Sequence, residues 1–124
     1  MIAAIALAAA ALATPIASMD LLCTVVSSQP ANRPAPGRVD HIRVDGAAGK
    51  WCVERCMDTL PISVTENKVW LVHPQVIEGI KVLDSINRRT GTRAFTISGR
   101  PEAARSVMST CEVKPFSGFP KRKF

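Results

Sequence analysis

No charged side chain occurs before Asp20, and Ile2 to Ala13 are all apolar. That run is shorter than the roughly 20 residues a spanning helix needs and is mostly alanine, which argues against a bilayer-crossing anchor. A helical signal peptide over residues 1–18 is the expectation, with Ala11-Leu12-Ala13 or Ile16-Ala17-Ser18 as its small-residue cleavage site. Other absences are as instructive. The seven glycines are scattered, so no phosphate-cradling loop is present, and the only histidines are His41 and His73. Neither lies in a pattern that supplies a nucleophile with its base, a carboxylate pair or a ligand cluster, so no catalytic residue is assigned and a non-enzymatic role is expected. No metal and no cofactor is expected either, because the C-x3-C spacing of Cys52 and Cys56 lacks the second close pair of a zinc site.

What is present is an even set of four cysteines after the leader: Cys23, Cys52, Cys56 and Cys111. Exported thiols oxidise, and four cysteines in a short exported chain read as a disulfide framework. The location expected is therefore secreted or periplasmic. Three pairings are open. On one straight strand Cys52 and Cys56 would lie about 13 Å apart, beyond the ~7 Å reach of a disulfide, so a bond between them demands a turn. Asp58 and Pro61 make a bent segment plausible there. The favoured pairing is Cys52 with Cys56 and Cys23 with Cys111.

Residues 19–124 are long enough for one domain and too short for two. Asp20 to Ser28 is rich in β-branched and apolar residues and reads as a strand, followed by a proline-broken loop over 29–37. Arg38 to Val44 reads as a second strand, closed by Asp45-Gly46, and Lys50 to Cys56 as a third segment. Ile62 to His73 breaks at Glu66-Asn67, with period-2 alternation of Val69 and Leu71 beyond it, and predicts a hairpin. A second hairpin is predicted from Ile80 to Ile97, turning at Thr90-Gly91. Pro101 to Arg105 suits a short helical turn, and Val107, Cys111 and Val113 a last strand. Strands this regular predict an all-β fold, a small antiparallel meander curling into a barrel-like or sandwich domain.

Charge is unevenly spread. Residues 1–80 hold six basic and seven acidic side chains, whereas residues 81–124 hold ten and three. The basic third draws anions, and outside the cytoplasm lipid headgroups or envelope polymers are the expected partners; nucleic acid is not expected. Candidate anion-binding residues are Arg88, Arg89, Arg93, Lys114, Lys121, Arg122 and Lys123. Trp51 and Trp70 are candidates to line a ligand pocket, although two lone tryptophans in a small domain serve first as core anchors. No membrane span is expected after the leader.

In order, DLLCTVV, GKWC, INRRTG, STC and a final KRKF resemble a set of small uncharacterised secreted bacterial proteins. The resemblance implies a compact antiparallel β domain whose N-terminal cysteine meets a C-terminal one, with Asn87, Arg88, Thr90 and Gly91 as a turn signature. Cys52 and Cys56 are additional to that two-cysteine pattern. The expected function is an exported, non-catalytic binding or structural protein of the cell envelope that uses its basic C-terminal third. The alternative is a lipocalin-like small-ligand carrier or a periplasmic protein inhibitor.

Overall fold

A computed structural model describes residues 16–120. Apart from one 3-10 turn at Pro101–Ala103, all its regular structure is strand: β1 (Met19–Gln29), β2 (Val39–Asp45), β3 (Lys50–Val53), β4 (Leu60–Pro61), β5 (Ser63–Val64), β6 (Lys68–Ile77), β7 (Ile80–Asn87), β8 (Thr92–Ser98) and β9 (Arg105–Lys114). They form one sheet in the order β4-β3-β2-β1-β9-β8-β7-β6-β5, antiparallel throughout. Each strand except β4 pairs with its successor in the chain, and the last pairs with the first. The two edges, β4 and β5, are separated only by Ile62, whose N–H bonds to the Gly49 carbonyl at 3.0 Å. The meander thereby curls into a nearly closed barrel. The signal-peptide expectation falls largely on residues 1–15, outside the described residues.

Alternation decides which side chains enter the barrel. Leu21, Cys23 and Val25 of β1, Ile42 and Val44 of β2, and Ile86 of β7 are buried while their neighbours Thr24 and Val26 are exposed. The core gathers Leu21, Cys23, Ile42, Val44, Trp51, Val69, Leu71 and Ile86. Trp51 spans the seam left by the short β4 and β5, because its indole N–H donates to the Leu71 carbonyl at 3.0 Å.

Both favoured disulfides are present. Cys23 and Cys111 are direct partners on β1 and β9, so the bond locks the first strand to the last at the middle of the sheet. It joins residues 88 apart, and loop-closure entropy of that size corresponds to roughly 4–5 kcal/mol. Cys52 and Cys56 are bonded across a turn, with both Glu54 and Cys56 at positive φ. Two disulfides mark an oxidising, extracytoplasmic environment. No helix among the described residues is long and apolar enough to cross a membrane.

The strand over Lys68–Ile77 runs further than the predicted hairpin, which stopped at His73. The register between Val72 and Gln75 is irregular, and the irregularity holds Pro74. A proline in a ladder is tolerated where its missing N–H is not needed, as at a bulge or an unpaired edge. Beyond Trp70 the far edge of β6 has no partner strand among the described residues, since β5 pairs only through Ser63 and Val64.

Candidate functional site

The end of the barrel where β1 begins is called lower here, and the end where it finishes, upper. Three turns meet at the lower end: 46–49, 65–67 and 88–91. The turn carrying Asn87, Arg88, Thr90 and Gly91 is built as its sequence suggests. The Asn87 side-chain oxygen accepts from the N–H groups of Arg89 and Thr90 at 2.9 and 3.1 Å, and Gly91 N–H returns to the Asn87 carbonyl at 2.8 Å. Gly91 has φ +74°, where a side chain is disfavoured, and a Cβ there would come within 3.0 Å of the Cys111 carbonyl oxygen. Arg88 staples this turn to the next, donating from its backbone to Asn67 and from its guanidinium to the Thr65 carbonyl, both at 2.8 Å.

Lower-end cations are Arg43, Lys50, Lys68, Arg88, Arg89 and Lys114, set against Asp20, Asp45, Glu66 and Glu112; of these, Lys114 pairs with Glu112 at 3.0 Å. Lys68 also lies 5.0 Å above the Trp70 ring. Beneath them is an apolar cavity of about 290 Å³ whose walls include Ile16, Met19, Leu21, Val44, Ile86 and Val113. Ile16 to Ser18, placed by the sequence in the leader, lie against this end. Ile16 packs on the core, and Ser18 Oγ accepts from Gly46 N–H at 3.0 Å.

The upper half of the interior is charged. Arg93 of β8 points inward and forks Asp84 of β7, with Nε to Oδ1 at 3.0 Å and Nη2 to Oδ2 at 2.7 Å. Its Nη1 reaches Asp40 of β2 at 3.5 Å, and Arg38 holds the other oxygen of Asp40 at 3.2 Å. Burial pushes the Asp84 carboxyl up, more than Arg93 pulls it down. Burial also opposes charge on Arg93, but Asp84 and Asp40 more than offset it, so the guanidinium stays ionised. Above this network a cavity of about 180 Å³ is lined in part by Arg38, Asp40, Arg93, Phe95, Arg105 and Val107.

No protein-family model matches this chain, and neither does any curated protein or solved structure.

The predicted basic residues do not form one surface. Arg88, Arg89 and Lys114 meet at the lower end; Arg93 is inside, engaged with two carboxylates; and Lys121, Arg122 and Lys123 lie outside the described residues. Trp51 is a core anchor, and Trp70 stacks on His73 with centroids 5.4 Å apart. Neither tryptophan lines the two cavities described above.

Two histidine contacts were not read from the sequence. His41 Nε2 lies 2.7 Å from Asp20 Oδ2, and Ser117 Oγ donates to that same oxygen at 2.5 Å. Serine and histidine thus share the carboxylate rather than bonding each other, and the Ser117 hydroxyl also accepts from Arg43. Arg43 continues to the Gly118 carbonyl at 3.0 Å, and Ser117 N–H reaches Asp20 Oδ1 at 3.2 Å. The cluster straps the segment after β9 onto the outer face of β1 and β2. Burial works against charge on Asp20, but the bonds from Ser117 and His41 outweigh it and hold the carboxyl below its usual 3.8. On the seam, Ser63 Oγ and His73 Nε2 are hydrogen-bonded across β5 and β6. These pairs are distant in sequence, so only the strand register brings them together.

Proposed function

We propose that the protein is a non-catalytic binding module of the cell envelope that docks by the lower end of its barrel on an anionic component, a lipid headgroup or polymer. The observation that carries this reading is the convergence of Lys50, Lys68, Arg88, Arg89 and Lys114 on one end, around turns fixed to each other by Arg88. Fixed turns present charge without an ordering cost at contact. The segment Ile16–Ser18 enters the fold at the same end, and the basic residues 121–123 follow a tail strapped near it.

Sedimentation of the oxidised protein with phosphatidylglycerol vesicles, phosphatidylcholine vesicles and a soluble anionic polymer tests the reading. Binding to the anionic vesicles or the polymer, lost on raising salt to about 0.5 M, is expected, because exposed charges are screened within a few ångströms there. Arg89→Glu with Lys114→Glu weakens it, while Lys81→Glu at the upper end leaves it unchanged. Equal binding to neutral vesicles, or indifference to salt, refutes it. The carrier alternative is favoured by one observation, the charged upper cavity.

A further inference from the structure

We propose that the upper mouth of the barrel is a second site, which takes a small carboxylate anion with a compact apolar body. It does not rest on the docking reading, since it lies at the opposite end of the barrel.

The site is laid out by the register of β8 and β9. Arg93, Phe95 and Ile97 alternate inward on β8, facing Ser109, Val107 and Arg105 on β9. Phe95 and Val107 are direct partners and form an apolar layer. Arg93 lies one layer below it and Arg105 one layer above, each step spanning about 7 Å along the strands. The wall thus reads, from inside to mouth, guanidinium, apolar pair, guanidinium.

The two arginines differ in what they are free to do. Arg93 is committed to Asp84 and Asp40, and both carboxylates are in turn occupied, Asp84 by the fork and Asp40 by Arg93 and Arg38. The Arg105 side chain makes no hydrogen bond or ion pair among the described residues, yet it lines the cavity. Counting Arg38, Arg93 and Arg105 against Asp40 and Asp84 leaves one positive charge uncompensated, which matches a monoanion. A guanidinium fork suits a planar carboxylate best.

The size of the cavity limits the rest of the ligand. At about 180 Å³ it is little larger than the ~150 Å³ apolar cavity that accepts benzene, and smaller than the ~300 Å³ at which drug-sized pockets begin. Fatty acids and large cofactors do not fit within it. A ring or short branched chain lying on Phe95 and Val107, with its carboxylate at Arg105 and Arg38, does.

The test uses benzoate as probe, benzyl alcohol as its uncharged counterpart and inorganic phosphate as an anion without an apolar body, each titrated into the oxidised protein by two-dimensional NMR. Benzoate is expected to shift the resonances of Arg105, Val107 and Phe95 saturably. Arg105→Gln weakens its binding about tenfold or more, the loss of a charge-assisted hydrogen bond. Arg55→Gln, on the exposed turn between Cys52 and Cys56 and outside the cavity lining, leaves it unchanged. If Arg105→Gln does not fold, Arg105→Lys replaces it, with a smaller loss expected because the fork is gone and the charge kept. Shifts confined to the lower end, or none, overturn the proposal. Equal affinity for benzyl alcohol overturns the role of charge, and equal affinity for phosphate the role of the apolar layer. Loss of vesicle docking with benzoate binding intact refutes only the reading of the lower end.

Discussion

Arg93 grips both carboxylate oxygens of Asp84 inside the barrel, and the side chain of Asp84 is only 3% exposed. The pair is the polar counterpart of the core below it. Truncation to Arg93→Ala leaves Asp84 and Asp40 buried without their cation, at a cost of about 3–5 kcal/mol. Replacing both partners, as Arg93→Met with Asp84→Leu, recovers part of that loss. Denaturant unfolding of the two variants measures the difference, and equal destabilisation would show that the pair does not act as a unit.

Acid acts through Asp20. Its carboxyl is held below the usual 3.8 in the fold, so ionised Asp20 contributes stability that is present above that value and lost as pH falls through the lower folded value. The tail held by Ser117 and Gly118 should loosen in the same window. Unfolding midpoints compared between pH 7 and pH 2 check this. Asp20→Asn should be less stable at neutral pH and show a flatter acid limb; an unchanged limb would assign the loss to other groups.

Gly46 tests the seating of the N-terminal segment. A Cβ there would lie 1.8 Å from the Ile16 carbonyl oxygen, closer than atoms can approach. Gly46→Ala should displace the segment and destabilise the protein by about 1–3 kcal/mol, as overpacking does. In a chain beginning at Met19 the same substitution should be nearly neutral. Thermal unfolding of all four combinations gives the coupling, and simple additivity contradicts the contact.

The two disulfides should be unequal. On the chain-entropy model the long Cys23–Cys111 bridge is worth roughly 4–5 kcal/mol and the short Cys52–Cys56 bridge about 2 kcal/mol. Paired replacement by alanine, followed by equilibrium unfolding, separates them. A larger loss from the short bridge would mean that its turn, rather than chain entropy, dominates.

Much of the fold is local, and that part was legible. Val69 and Leu71 at period 2, the Asn87–Gly91 turn and the prolines of 29–37 each state a strand or a break within a few residues. The continuation of β6 through Pro74 was not, because proline reads as a stop unless the neighbouring edge is known to be unpaired. The charged interior was hidden for a related reason. Arg93 belongs by sequence to a basic region, and only its inward parity on β8 opposite Asp84 and Asp40 separates it from Arg88 and Arg89. Asp20 and Ser117 are likewise joined only by the pairing of the first strand with the last. The basic bias was visible in the sequence, whereas its division between interior, lower rim and tail follows from the register.

Hydrogen–deuterium exchange of the oxidised protein with and without phosphatidylglycerol vesicles tests docking by the lower end most directly. The account predicts slowed exchange in the turns at 65–67 and 88–91, with the upper turn at Glu78-Gly79 unchanged, and loss of the effect in high salt. Protection centred on the upper turns, or none at low salt, would contradict it.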